Sequence, residues 1–371
     1  MKKKILFLSP LPPPHYGSAM SSEMCLKILK ESKDFEVRNI KLNYSRDMND
    51  VGRINLDKIK GIFSVKKRIR EEIKEFNPDI IYLVPATYSF GLLRDWFFVR
   101  EIKKHWKGKI LFHIRSRILD KIWNSFFGKK LLRGMYMGNK AIVLGKELIN
   151  DLRGIIPKKD ISILPNAIKS EVSENELKRI IQERKKNKQF NILFLSNMDK
   201  SKGWPKLLEA CKILNEKEFN FKCDFVGAWQ SEKDKRYFKE FTKKNKLEKK
   251  VFSHGRKTGK EKNKILEKSH ILVFPTEYKL ETFGRVILEA MMFSIPVIAN
   301  SIATIPSTVQ DGKTGFLLKK NTPEKIAEKI EKLIKNEKLR EKMGRKGRKR
   351  FLEKYELKEY EKKFKGIFRD F

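Results

Sequence analysis

The chain has 371 residues and a mass of 43.9 kDa, enough for two or three domains with sizeable cores, which excludes a peptide-sized or disulfide-stapled scaffold. Lys and Arg number 85 against 46 Asp and Glu, a formal charge of +39, while hydrophobic residues make up 40% and aromatics 11%, a composition that excludes global disorder. Cys25, Cys211 and Cys223 form neither a CxxC pair nor a zinc-spaced cluster, which fits a reducing compartment and offers no metal site.

In chain order, short β-branched and aromatic runs alternate with longer helix-patterned stretches, the signature of a parallel α/β architecture. Strands are expected at 5–9, 80–84, 110–113, 141–144 and 161–164, then at 191–195, 223–227, 251–254, 271–274 and 296–299. The charged, aromatic-poor stretch around 168–189 between these two groups reads as a helix-containing connector. Two doubly wound domains facing each other across a cleft is the economical arrangement. Apolar runs reach about five residues, far short of the ~20 that cross a bilayer, and the opening MKKKILFLSP turns to prolines before a signal h-region forms. A cytoplasmic protein is therefore expected. A charge of +39 attracts nucleic acid, an anionic membrane face or a phosphate-bearing substrate, and does not choose among them.

Ligands of open α/β sheets bind beyond the carboxyl ends of the strands, so residues that follow the strands directly are the informative ones. The first strand runs into Pro10-Leu-Pro-Pro-Pro-His15-Tyr-Gly17-Ser18, a stiff loop whose Gly17 opens a helix and which lacks the GxGxxG of a dinucleotide cofactor site. In the second half, 191–195 leads to Asn197 and then to Lys202-Gly203 at the start of a helix, where backbone N–H groups and a lysine form an anion site. After 271–274 comes Pro275-Thr-Glu-Tyr-Lys-Leu-Glu281-Thr-Phe283-Gly284-Arg285, then a helix with Val286, Ile287, Ala290 and Met291 on its apolar face and Glu289 inside it. Two carboxylates thus flank a helix N-terminus carrying Arg285. Such a terminus suits a diphosphate, and the carboxylates suit hydroxyl groups on either side of it, the order of parts in a nucleotide-sugar.

The run Glu281-Thr-Phe-Gly284-Arg-Val-Ile-Leu-Glu289-Ala-Met, with Ile295-Pro-Val-Ile-Ala and Asp311-Gly-Lys-Thr-Gly315-Phe-Leu after it, resembles the EX7E donor-binding core of the retaining glycosyltransferases of family 4, which have the GT-B fold. Leu164-Pro-Asn166 resembles the family's interdomain PN, and Phe252-Ser-His-Gly255-Arg256 its FxGR turn. The resemblance implies two Rossmann-like domains: an acceptor-side domain at 1–167, a connector at 168–189, a donor domain at 190–351, and a last helix at 352–371 that packs back on the first domain. It implies that Lys202 and Arg285 contact the donor diphosphate, with Asn197, Arg256, Phe283 and Gly284 lining the donor site. Glu281 would hold the transferred sugar and Glu289 the ribose, Gly17 would let the first loop approach the diphosphate, and His113 would sit near the reacting sugar. Lys202, Glu281, Arg285 and His113 are the expected catalytic set. Departures from the pattern are Asn197 in place of an arginine, Gly17-Ser18 and Ala303-Thr304 in place of glycine pairs, and His113-Ile-Arg115-Ser in place of His-x-His-Gly, where Arg115 suits a charged acceptor. No DxD motif occurs, so no metal ion is expected, and the nucleotide-sugar is a co-substrate rather than a resident cofactor.

The implied function is sugar transfer to a glycan or lipid-linked acceptor in cell-surface polysaccharide or lipopolysaccharide-type synthesis. Rivals are a nucleotide-sugar epimerase on the same fold, and a basic nucleic-acid binder, although no RNP, KH, zinc-finger or helix-turn-helix pattern accompanies the charge. Three first-half segments mix aromatic and basic residues: 57–76, ending in Phe76, with seven Lys and Arg against four acids, 92–109 with Trp96, Phe97, Phe98 and Trp106, and 121–136 with Trp123, Phe126, Phe127 and Tyr136 and no acid at all. They suit either an anionic membrane surface, placing the protein peripherally at the inner face of the membrane, or the domain's own core with lysine stems outside.

Overall fold

A computed structural model describes residues 2–13, 17–42, 56–87, 89–118 and 120–371. Pro14, His15 and Tyr16 of the first loop lie outside the described residues. The chain divides into two compact units, one of Met1–Asn166 with Glu361–Phe371, the other Ala167–Tyr360.

The first unit holds a six-stranded parallel sheet of β1 (Lys3–Ser9), β2 (Phe35–Lys41), β3 (Ile80–Leu83), β4 (Ile110–Ile114), β5 (Lys140–Val143) and β6 (Ile161–Ile163), in the order β2-β1-β3-β4-β5-β6. Its helices are α1 (Gly17–Lys30), α2 (Leu56–Phe76), α3 (Ser89–His105), α4 (Asp120–Asn124) and α5 (Phe126–Tyr136). β1, β3 and β4 are almost wholly buried because helices cover both faces of a parallel sheet, and their side chains accordingly read as continuous apolar runs.

The second unit is built the same way from β7 (Phe190–Leu195), β8 (Phe221–Val226), β9 (Val251–Ser253), β10 (Ile271–Phe274), β11 (Val297–Asn300) and β12 (Gly315–Leu318), ordered β12-β11-β10-β7-β8-β9. Around it lie α6 (Glu174–Lys186), α7 (Trp204–Glu216), α8 (Glu232–Lys244), α9 (Gly259–Lys268), α10 (Arg285–Met292), α11 (Ile305–Thr308), α12 (Pro323–Lys335), α13 (Glu337–Lys354) and α14 (Leu357–Arg369), the last of which passes into the first unit. Every expected strand is present. Two more, β2 and β12, form edges.

Helix starts follow local chemistry. Ser173 and Glu176 form a reciprocal capping box on α6, while Ser125, Ser231, Thr322 and Asn336 cap α5, α8, α12 and α13 through their side chains. Stretch 168–189 lies within the second unit, stitched to it by Arg348, whose buried guanidinium donates to Glu174 Oε1, Ser170 Oγ and the Val172 and Met292 carbonyls at 2.8 to 3.1 Å. Gly344 allows that approach, since a Cβ there would stand 2.2 Å from the Ser294 carbonyl. In α14, Phe364 and Phe368 recur at helical spacing and are fully buried, their rings 6.0 and 5.6 Å from that of Tyr82 on β3.

Candidate active site

In the second unit β7 leads to β8 and β9 on one side while β10 returns to the other side of β7, so β7 and β10 flank the point where strand order reverses. That is where an open parallel sheet leaves room for a ligand. The loop after β7 is set by Asp199, whose Oδ1 accepts from the Ser201 backbone N–H at 2.8 Å and from its hydroxyl at 2.7 Å, closing a tight turn over Lys200–Lys202. Gly203 then takes a left-handed φ of 86°, and a Cβ on it would lie 2.1 Å from the Pro275 carbonyl oxygen. Only glycine meets both conditions. The two loops are joined further by the Glu277 N–H, which donates to the Ser201 carbonyl at 2.7 Å.

This contact brings Lys202 onto the second loop. Its Nζ donates to Glu281 Oε2 at 2.8 Å and rides over the Tyr278 ring at 4.0 Å from the centroid. The other oxygen of Glu281 accepts from the Gly284 N–H at 3.2 Å, fixing the carboxylate against the start of α10. Gly284, at φ 68°, has no Cβ to strike the Phe274 ring 2.9 Å away. Both α7 and α10 start at these left-handed glycines, with no side chain capping their first turns. First-turn N–H groups without a capping side chain, together with lysine, favour an anion. An ammonium has three donors and Glu281 takes one, so Lys202 can hold the carboxylate and a phosphate oxygen together.

Arg285, the first residue of α10, is exposed; Glu289, one turn on, pairs with Lys262 of α9 at 3.0 Å. The segment is braced from β11, as Thr304 donates its N–H and hydroxyl to the Thr282 carbonyl and Asn300 donates to that of Thr276. Asn197 and Arg256 are exposed beyond the ends of β7 and β9. Phe283 points inward, its buried ring 6.0 Å from that of Tyr355, so only its backbone is offered to the site. Sequence reading missed Lys262 and Tyr278, the partners that hold Glu289 and Lys202.

Two expected residues belong to the first unit. Gly17 opens α1 with nothing among the described residues within 4 Å of where a Cβ would be, so those residues impose no glycine there. His113 on β4 is buried: the Tyr82 hydroxyl donates to its Nδ1 at 2.6 Å, and its Nε2 has no hydrogen-bond partner among the described residues. Burial, reinforced by the Arg115 guanidinium, holds its pKa well below 6.5, so the imidazole is neutral. Arg115 lies against α1, its Nη2 3.1 Å from Cys25 Sγ and 3.4 Å from the Ser21 carbonyl. Among the described residues no three His, Cys, Asp or Glu side chains gather as a metal site, and no helix is long and apolar enough to cross a membrane.

Comparison with known proteins finds glycosyltransferases among the similar chains. A capsular polysaccharide biosynthesis glycosyltransferase of Staphylococcus aureus, CapM, is 33% identical over 171 residues, 46% of this chain and 43% of its own. A 41.2 kDa protein in the cps region of Klebsiella pneumoniae is 28% identical over 67% of this chain and 64% of its own. The chain thus spans less than two thirds of the length of these curated relatives. A glycosyltransferase structure from Rickettsia africae superposes with a TM-score of 0.73 at 20% identity, over 100% of this chain and 98% of that one, which shows the α/β fold of GT-B glycosyltransferases. Residues 176–350, which contain Lys202, Glu281, Arg285 and Glu289, match the model of the glycosyl transferases group 1. That match spans just under half of the chain, so it is the second unit that is similar to the glycosyl transferases group 1.

Proposed function

We propose that the chain is a retaining glycosyltransferase that moves a sugar from a nucleoside-diphosphate sugar to a glycan or lipid-linked acceptor in cell-surface polysaccharide assembly. The observation carrying this reading is the meeting of Lys202 and Glu281, from the loops after β7 and β10, before the first turn of α10. Lys202, Arg285 and the α10 N-terminus supply positive charge where a diphosphate would depart, and fixed charges and dipoles of this kind commonly supply most of an enzyme's rate acceleration. Glu281 accepts hydrogen bonds from sugar hydroxyls and Glu289 from ribose hydroxyls. The departing diphosphate takes the acceptor's proton, and the new bond forms on the face it leaves, so the anomeric configuration is kept. The nucleotide-sugar is the co-substrate, and the reading calls for neither a resident cofactor nor a specific nucleic acid. A lipid-linked acceptor places the protein at the inner face of the membrane, and the name of the S. aureus relative supports the polysaccharide context.

The test is product analysis on a panel of nucleotide-sugars with and without acceptor. Expected products are nucleoside diphosphate and a glycoside with the donor's anomeric configuration, and Glu281→Gln should lose about 10²-fold in rate through mispositioning. Epimerised nucleotide-sugar formed without acceptor would replace this reading with the isomerase alternative.

A further inference from the structure

In the first unit α2, α3 and α5 join strands that advance in one direction across the sheet, so right-handed crossovers place all three on one face, opposite α1. They pack side by side. Glu101 of α3 is buried and holds Lys66 and Arg70 of α2 at 3.3 and 3.1 Å, while Lys103 of α3 donates to the Gly134 carbonyl of α5 at 3.1 Å. Gly134 leaves room for the Trp96 indole, whose nitrogen would stand 2.9 Å from a Cβ there.

The aromatic residues of these helices divide into two sets. Phe98 and Tyr136 are fully buried, but Phe63 is 65% exposed, Phe97 41%, Phe126 87% and Phe127 67%, with Met137 at 51% one end of α5 away. Each outward aromatic stands in a basic stripe at helical spacing: Lys60 and Lys67 flank Phe63, Arg100 and Lys104 follow Phe97, and Lys130 and Arg133 follow Phe126. Both acids of α3, Asp95 and Glu101, are buried, and α5 has none. The outward charge of α3 and α5 is therefore entirely positive, around aromatic rings the core does not use.

We propose that this face docks on an anionic lipid bilayer, with Phe126 and Phe127 entering the interface and the surrounding lysines and arginines meeting phosphate headgroups. Apolar insertion combined with a basic surround is the two-signal anchor that stable peripheral binding needs. Two consecutive phenylalanines projecting from a helix start give the depth a bilayer rewards. The proposal deepens the membrane position inferred above by naming the surface and the lipid chemistry, but it does not depend on what the second unit binds.

Co-sedimentation of the full chain with phosphatidylglycerol/phosphatidylcholine vesicles, against pure phosphatidylcholine, tests it. The protein should sediment with the anionic vesicles alone. Lys129→Gln/Lys130→Gln/Arg133→Gln should weaken binding by roughly fivefold per charge, about 10² in all, and Phe126→Ser/Phe127→Ser should weaken it at least tenfold even at low salt. Affinity for nucleoside diphosphate, measured alongside, should be unchanged in both variants, which reports the fold and separates failure of the docking surface from failure of the donor site. Equal sedimentation of variants and parent would overturn the proposal. So would a parent that ignores vesicles, whether the same substitutions dissolve a dimer seen by light scattering or abolish RNA binding instead.

Discussion

Lys202 and Glu281 lie 79 positions apart in sequence and share one hydrogen bond. Both were legible because each follows a buried apolar strand and precedes a glycine that starts a helix. Tyr278 and Lys262 were not. A lysine over an aromatic ring depends on side-chain direction that spacing does not encode, and Lys262 is one of several lysines on α9, with nothing in the pattern to mark it. His270, just before β10, shows how a buried polar residue answers to its surroundings. Its Nδ1 accepts from the Asn191 N–H at 2.9 Å and its Nε2 lies 3.2 Å from the Arg184 carbonyl, an arrangement that needs a neutral ring. Burial, then Arg340 and Arg184, lower its pKa to about 4. Because the folded value lies below the unfolded one of about 6.5, the unfolded chain takes the proton first. The stability this residue contributes is complete above about pH 6.5 and is lost as pH falls towards 4, reaching about 3 kcal/mol. His270→Gln, which keeps an acceptor and a donor, should flatten that part of a denaturant-derived stability curve; an unaltered slope would mean His270 does not titrate there.

Among the elements, the buried strands read clearly, as did the edge strands β6 and β9, while the edge strands β2 and β12 did not. β2 is exposed or half-buried at Glu36, Arg38 and Asn39, because an edge has one partner and only part of each face covered, so polar residues interrupt its apolar run. β12 is four residues long and is preceded by a glycine-bearing turn, which reads as loop. In α14 Tyr360, Phe364 and Phe368 recur at intervals of four and are buried, where the family resemblance implied a last helix. Phe364 is fully buried, with its ring 5.1 Å from Phe368, 6.0 Å from Tyr82 and 6.4 Å from His113. Phe364→Ala should cost about 3–5 kcal/mol of stability, read as a lowered denaturation midpoint with unchanged nucleotide affinity at low temperature. A loss under about 1 kcal/mol would show that α14 does not support the first unit's sheet.

Across the whole molecule, the excess charge is informative only once its placement is known. Acids of the first unit such as Glu101 and Asp95 are spent inside, binding α2 to α3 and the loop after β3 to α3, and this leaves the outward surface of α3 and α5 basic. In the second unit, Glu281 and Glu289 are each matched by a lysine, so the candidate site presents paired charges rather than a uniform field. Composition could show the surplus of +39 but not this division, which arises from tertiary contacts. The central claim is that a diphosphate docks between the loops after β7 and β10 and is held by Lys202. Calorimetric titration of the full chain with a panel of nucleoside diphosphates tests it most directly. The account predicts binding of at least one of them, weakened roughly 10- to 100-fold in a folded Lys202→Ala variant, the equivalent of one charge-assisted hydrogen bond. Undiminished affinity in that variant, or no binding by the parent chain, would contradict it.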